Sequence, residues 1–179
     1  MQPFIESEMT FGPYADGHCF RVEQSATYQA IQDGVQMAEF LLLRTQAAGP
    51  PFIWIVEAKK SSPRPETQPN FNEFIGEIRD KLTNALSIGV ASILKRHPAA
   101  AGDLPDVFKN LDLATAGFRL VLIVNGHQKD WLPPLQEALR SALHATTKTW
   151  ALGPNAVAVI NHEDAKRFGL ITEIGRAHV

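Results

Sequence analysis

The chain has 179 residues and a net charge of −2, which suits a single domain over 1–179 and excludes a strongly basic nucleic-acid binder, although a local basic patch stays possible. Cys19 is the only cysteine, so an internal disulfide is excluded and a reducing cytoplasm is the expected location. The sequence has no signal-peptide pattern and no apolar stretch of membrane-spanning length, so we expect no membrane partner.

The first 34 residues predict a small β-hairpin and a short helix. Two strands are expected near 4–11 and 18–22, with the turn-rich segment 12–17 between them. Ser25 is a helix-capping residue, and a helix over 26–32 should follow it and end at Asp33-Gly34.

Two strands are predicted next, over 35–44 and 52–59. The second is an apolar run bounded by prolines and serines, which is typical of a buried strand. The short connection between the two predicts that they pair as a hairpin. Side chains alternate along a strand, so Glu39 should share a face with Leu41 and Leu43.

The second half of the chain alternates predicted helices and strands. Apolar residues at helical spacing predict a long helix over about 71–96, with Gly76 and Gly89 inside it. Further elements are expected in this order: a short helix near 105–111, a strand over 118–124, a helix begun by Asp130 and running to His144, a strand over 156–160, and a helix over 163–168 that Gly169 ends. This order indicates an α/β fold with a mixed central sheet flanked by helices.

A small set of acidic and basic residues lies within or at the end of the predicted buried strands. Glu57-Ala58-Lys59 ends the strand over 52–59, and Glu39 lies in the preceding strand, with seventeen residues between the two acids. Alternation places Glu57 and Lys59 on one face, where burial is costly unless the charges pair or hold an ion.

This arrangement resembles the PD-(D/E)XK nuclease superfamily, whose fold is restriction-endonuclease-like. The resemblance covers about 20–125, and it departs from the family pattern because Glu39 replaces Asp and Ala38 replaces the preceding Pro. It implies a Mg²⁺ or Mn²⁺ site formed by Glu39 and Glu57, with the Ala58 carbonyl and Glu23 as further ligands. Lys59 would then orient or deprotonate the attacking water and stabilise charge at the phosphate.

Two other interpretations of these residues stay open. A Glu-x-Lys triplet arises by chance about once in a chain of this composition, so Glu57 and Lys59 could form a structural ion pair. The chain holds a second triplet, Asp164-Ala165-Lys166, which we set aside because it lies in a predicted helix and its upstream acid, Asp106, is distant.

The remaining polar residues give weaker signals. Six histidines, including His178, show no metal-ligand spacing, and Cys19 is expected to be a small core residue. Glu77 and Lys81 have the spacing of a helical ion pair. A groove for a nucleic-acid backbone, or simply a solvated face, is the expected role of a set of basic residues: Lys59, Lys60, Arg64, Arg79 and Lys81.

Three functional hypotheses follow. The first is a metal-dependent nuclease that acts on nucleic acid, with DNA as the expected substrate, RNA as an alternative, and a homo-oligomer left open. The second is a binding or scaffold protein that keeps the nuclease-like fold without catalysis. The third is an enzyme of another class.

Overall fold

Eight strands and seven helices make up the part of the chain that the computed structural model describes, residues 1–174. The strands are β1 (Phe4–Glu6), β2 (Met9–Phe11), β3 (Cys19–Phe20), β4 (Phe40–Arg44), β5 (Phe52–Lys59), β6 (Gly117–Val124), β7 (Val157–Asn161) and β8 (Ile171–Ile174). The helices are α1 (Ala26–Gln29), α2 (Asn70–Ile93), α3 (Ala100–Asp103), α4 (Asp106–Lys109), α5 (Leu132–Ala142), α6 (His144–Thr149) and α7 (His162–Arg167).

The central sheet is mixed and has five strands in the order β3-β4-β5-β6-β7. Its first half is antiparallel, whereas β5, β6 and β7 run parallel. A second sheet has the order β1-β2-β8 and is antiparallel. The predicted class, α/β with a mixed central sheet flanked by helices, is confirmed.

Strand alternation divides the central sheet into two buried faces. Ile53 and Ile55 of β5 face α2 and α5 and pack with Ile78 and Leu82. Val56 and the other residues that alternate with Ile53 and Ile55 along β5 face the small sheet and α7 instead. Both faces of β5 and β6 are covered, which explains why these parallel strands are nearly continuous apolar runs.

The predicted long helix is α2, and it runs unbroken through both glycines. Ile78 and Leu82 are fully buried against the sheet, as the helical spacing predicted. Gly89 allows a close approach, because a Cβ built there would lie 2.6 Å from Cδ2 of Leu41 on β4. At Gly76 the same Cβ would meet only the Arg79 guanidinium, at 3.8 Å.

Two predictions about the first half of the chain are wrong. The segment 4–11 folds back on itself as β1 and β2, because Ser7 and Glu8 adopt left-handed φ angles of 49° and 64° that form a tight turn. The segment 12–17 then connects the two sheets and is not a hairpin turn.

The strand predicted over 35–44 begins only at Phe40, so Glu39 lies just before it. The preceding residues are held by side chains and do not join the sheet. Tyr28 Oη donates a hydrogen bond to the Val35 carbonyl at 2.5 Å, and Asn84 Nδ2 donates one to the Gln36 carbonyl at 2.9 Å. The backbone there has other partners, so nothing extends the ladder.

Later elements follow the predictions with some differences. Asn161 caps α7 by accepting a hydrogen bond from the Asp164 N–H at 3.0 Å, and Gly169 follows it with φ 73°. Asp130 does not cap α5, because it lies inside a 3₁₀ turn over Lys129–Trp131. α6 and β8 were not predicted. Among residues 1–174, no helix combines the length and apolarity that crossing a membrane requires.

Candidate functional site

The predicted acidic residues lie where β4 ends and β5 continues. The last residue pair of the two strands is Phe40 with Val56, and the Glu39 N–H donates to the Val56 carbonyl at 3.0 Å. Beyond this point β5 carries Glu57 and Lys59 on the face that it turns toward α2. Glu39 has the same parity as Leu41, so it belongs to this face too.

Glu57 is the most buried acid of the group, with only 1% of its surface exposed. Its Oε1 lies 3.1 Å from Lys81 Nζ of α2 and 3.6 Å from Lys59 Nζ. Its Oε2 is buried and has no hydrogen-bond partner within the described residues. Burial raises the pKa of Glu57 to about 7, although Lys81 and Lys59 oppose the rise.

The two lysines join Glu57 to α2 in a small ionic network. Lys59 Nζ lies 3.0 Å from Glu77 Oε1, and Lys81 Nζ lies 3.7 Å from the same oxygen. The predicted helical pair of Glu77 and Lys81 therefore exists, at the spacing i,i+4. Lys59 keeps 26% of its side chain exposed, so it stays within reach of solvent.

A second pair of acids lies beside Glu57. Burial raises the pKa of Glu39 well above its ordinary value of 4.5, and a hydrogen bond to the Glu23 carboxylate and the charge of Glu57 raise it further. Two carboxylates can share a hydrogen bond only if one carries a proton. Glu23 is exposed, in a 3₁₀ turn over Val22–Gln24, so the acids extend from the core to the surface.

Carbonyls alternate along a strand, so the Ala58 carbonyl lies on the β4 side of β5, as the Val56 carbonyl does, and away from β6. The turn between β1 and β2 fills part of this space, and Ser7 Oγ donates a hydrogen bond to the Ala58 carbonyl at 3.0 Å. Asn125 Nδ2, after β6, donates one to the Ser7 carbonyl at 2.9 Å. The carbonyl that the resemblance nominates as a metal ligand thus already has one partner.

The residues fit a hard divalent cation in some respects. Burial and the neighbouring acids raise the pKa of Glu39, and Glu57 Oε2 has no partner within the described residues, so a cation could neutralise this cluster of acids in place of a proton. In the arrangement described for residues 1–174, however, no three His, Cys, Asp or Glu side chains are placed to hold one ion together. Binding would therefore require the carboxylates to move together, or substrate oxygens to complete the ligand set.

Sequence reasoning placed Glu23, Glu39, Glu57 and Lys59 together, and the structure brings them into one region. It missed the contact of Lys81 with Glu57. The signal was present, because Lys81 follows Ile78 by three residues and so lies near the sheet-facing side of α2.

The acid of the rejected triplet and its upstream acid have separate ion-pair partners. Asp164 pairs with Arg167 at 2.6 Å, and Asp106 pairs with Lys109 at 3.2 Å. Cys19 is buried in β3, as predicted. His178 lies outside the described residues.

The predicted basic groove is partly neutralised. Lys60 Nζ lies 3.2 Å from Glu8 Oε1, and Arg79 Nε lies 2.9 Å from Asp80 Oδ1. These pairs are exposed and add little to stability.

A comparison of the chain with protein-family models, with curated proteins and with solved structures finds no match.

Proposed function

We propose that this chain is a metal-dependent nuclease with a restriction-endonuclease-like fold, which hydrolyses phosphodiester bonds with DNA as the expected substrate. The observation that carries the proposal is the environment of Glu57. The Glu57 carboxylate is 1% exposed, with two lysines at one oxygen and no partner at the other within the described residues. Burying such a group lowers the stability of the fold, so its presence favours a functional role. Buried acids with raised pKa values concentrate at functional sites.

Glu39, Glu57 and Glu23 would hold Mg²⁺ or Mn²⁺, with the Ala58 carbonyl as a further ligand if Ser7 yields it. The ion, when bound, would supply charge relief at the phosphate and lower the pKa of a water. Glu57 is buried and Glu23 is exposed, so a substrate phosphate would approach this cluster from the Glu23 side.

Lys59 would act on the reaction itself. Its ammonium group is partly exposed, 3.6 Å from Glu57, and Glu77 fixes its position at 3.0 Å. A cation held there can orient the attacking water and stabilise the negative charge that develops on the phosphate oxygens.

Lys81 has a positioning role in this proposal. It donates a hydrogen bond to Glu57 Oε1 at 3.1 Å and lowers the pKa of Glu57 against the effect of burial. It thereby lowers the pKa of Glu57 toward neutral pH and favours the charged form, which a metal ligand requires.

A structural role for the same residues is the second candidate, and one observation favours it. The four charges of Glu57, Lys59, Glu77 and Lys81 already form a closed network, which is what a non-catalytic ion-pair cluster would look like. In that case the chain would be a binding or scaffold protein.

The test is a cleavage assay on a panel of single-stranded and duplex DNA and RNA, in Mg²⁺, in Mn²⁺ and in EDTA. We expect cleavage that EDTA abolishes and that Glu57→Gln removes. Lys166→Ala, in the rejected triplet, is the matched control and should cleave like the wild type. A wild-type protein that cleaves none of these substrates with either ion, or a Glu57→Gln variant as active as the wild type, would defeat the proposal.

A further inference from the structure

A cavity of about 370 Å³ opens at the carboxyl end of the parallel strands, lined by the loops that follow β5 and β6. One wall is the loop that follows β5, from Ser62 to Glu66, and the other is the start of α5 with Trp131. This volume lies within the usual range of small-molecule pockets. The carboxyl ends of parallel strands are also where α/β sheets commonly bind ligands.

The floor of the cavity is held in place by hydrogen bonds. Ser62 Oγ and His127 Nε2 lie 2.7 Å apart and join the two walls. Asn161, which is 2% exposed, donates a hydrogen bond from Nδ2 to the His127 carbonyl at 3.0 Å. The His127 ring packs edge-on against the Trp131 indole, with ring centroids 5.4 Å apart and planes at 87°. The site is thus ordered before any ligand arrives.

The chemistry of the lining fits a flat ring with polar edges. Trp131 keeps 48% of its side chain exposed, so its indole can take a stacking partner. Three prolines add rigid apolar surface: Pro63, Pro65 and Pro134. Beside their mutual hydrogen bond, Ser62 Oγ keeps an acceptor lone pair and His127 keeps Nδ1, and both can contact a polar ring edge.

Charge sets where a phosphate could lie. Arg64 lines the cavity and is exposed, so it can approach a phosphate group. Glu66 and Asp130 also line it and would repel that group. A phosphate must therefore lie on the Arg64 side of the opening.

From these features we infer that the cavity binds an unpaired nucleobase of the substrate strand, stacked on Trp131, with Arg64 at the neighbouring phosphate. This inference rests on the proposed nuclease function. Bases in a duplex are covered on both sides by their neighbours, so a base can stack on Trp131 only in a single strand or after leaving the helix. The substrate class is accordingly nucleic acid with unpaired bases.

The cavity and the candidate site are close enough to act on one strand. Ser62 is three residues after Lys59, and three residues span at most about 11 Å between Cα atoms. The same loop then returns to α2, which holds Glu77 and Lys81 of the ionic network. A strand with its phosphate at Lys59 could therefore place a nearby base in the cavity.

The test measures binding without cleavage. Fluorescence anisotropy of a labelled single-stranded oligodeoxyadenylate is recorded in EDTA with the full chain, Trp131→Ala and Trp150→Ala. Trp150 is the matched control, because it is similarly exposed, at 42% against 48%, and lies away from this cavity. Circular dichroism confirms that each variant folds, and Trp131→Phe provides a conservative replacement.

We expect Trp131→Ala to weaken binding about tenfold and Trp131→Phe to restore most of it. Trp150→Ala should bind like the wild type. An oligomer with abasic residues should bind equally weakly to the wild type and to Trp131→Ala, since the base is then missing from both.

Three results would overturn the inference. Equal binding by Trp131→Ala and Trp150→Ala would remove the base pocket while leaving the nuclease proposal intact, as the cleavage panel shows separately. Tighter binding of fully paired duplex than of the single strand would do the same. A wild-type chain that neither binds nor cleaves any nucleic acid would remove the proposed function, and this inference with it.

Discussion

Individual charges around Glu57 do not balance, and this imbalance is the main clue at the residue scale. Glu23, Glu39 and Glu57 lie within electrostatic reach of each other, while Lys81 and Lys59 both approach the Glu57 oxygen. Glu39 has no lysine within ion-pair distance in the described part of the chain, and its raised pKa favours the protonated carboxyl. A divalent cation would remove the need for that proton.

Lys59→Ala tests whether catalysis and metal binding depend on different residues, as the proposed function requires. If Lys59 acts on the transition state, the variant should lose most turnover, by about 100-fold or more, and still bind Mn²⁺ almost like the wild type. Glu57→Ala should lose both. Calorimetric titration with Mn²⁺, beside the cleavage assay, measures the two effects.

A structural ion pair predicts a different pattern for these variants. Lys59→Ala and Glu57→Ala would then both lower the free energy of unfolding, and neither would affect metal binding in particular. Wild-type protein that binds no divalent ion even with substrate present would contradict the catalytic assignment.

The raised pKa of Glu39 predicts that the free energy of unfolding depends on pH. The folded state raises the pKa of this carboxyl above 4.5, so above that pH the folded chain holds a proton that the unfolded chain releases. The free energy of unfolding should then fall as pH rises from about 5 to about 8. Glu39→Gln keeps a hydrogen-bond donor for Glu23 without needing a proton, so its stability should fall less over the same range.

Urea unfolding at the two pH values, in EDTA, measures this difference. Glu137→Gln is the control, because Glu137 is 74% exposed and forms an exposed pair with Arg140 at 3.7 Å. Mg²⁺ at the higher pH should stabilise the wild type more than Glu39→Gln, if the ion takes the place of the proton. Equal pH slopes for the wild type and Glu39→Gln would show that Glu39 titrates normally.

At the scale of elements, α2 contributes both to core packing and to the ionic network around Glu57. Its sheet-facing side buries Ile78 and Leu82 and also supplies Glu77 and Lys81 to the ionic network. The height of α2 over the sheet therefore decides whether Lys81 reaches Glu57. Gly89, against Leu41, permits that height.

Two glycines of α2 should respond oppositely to alanine. Gly89→Ala places a Cβ 2.6 Å from Leu41, which is only 2% exposed and has little room to move, so we expect a loss of about 1–3 kcal/mol. Gly76→Ala meets no close atom and should gain up to about 1 kcal/mol from helix propensity.

Thermal and urea unfolding of both variants measures these changes. Gly89→Ala combined with Leu41→Ala should recover part of the loss if the clash is the cause, although the smaller residue itself leaves a cavity. A stabilising Gly89→Ala would mean that α2 sits farther from β4 than the structure places it.

At the scale of the whole molecule, the two sheets share one buried layer. Phe11 of β2 packs on Phe40 of β4, with ring centroids 5.3 Å apart, and the Tyr14 hydroxyl donates to the Leu170 carbonyl at 2.6 Å. The small sheet thus covers the face of β5 that α2 does not. Its turn, through Ser7, also reaches the Ala58 carbonyl at the candidate site.

This shared layer predicts that the two sheets unfold together. Phe11→Ala should lower the free energy of unfolding by about 3–5 kcal/mol and shift the fluorescence and circular dichroism transitions equally. Ile5→Ala is the control, because Ile5 in β1 is 71% exposed, and it should change stability by less than about 0.5 kcal/mol. An early, separate transition in Phe11→Ala would mean that the small sheet is an independent unit.

Sequence by itself determined the elements whose signal is local. The strand Phe52–Lys59 has the predicted bounds, and α2 and β6 differ from their predicted ranges by a few residues. These elements could be predicted because the spacing of apolar residues along a short segment is enough to indicate a strand or a helix. The same periodicity placed Glu39, Glu57 and Lys59 on one face.

Tertiary structure decided what depends on distant partners. Glu57 and Lys81 are 24 residues apart in the chain, and Ser7 and the Ala58 carbonyl are 51 residues apart, so no local pattern predicts either contact. The shortened β4 has the same cause, since side chains of α1 and α2 take the carbonyls that a longer strand would need. Local pattern fixes which face a side chain occupies, but only packing brings two such faces together and sets the charge around Glu57.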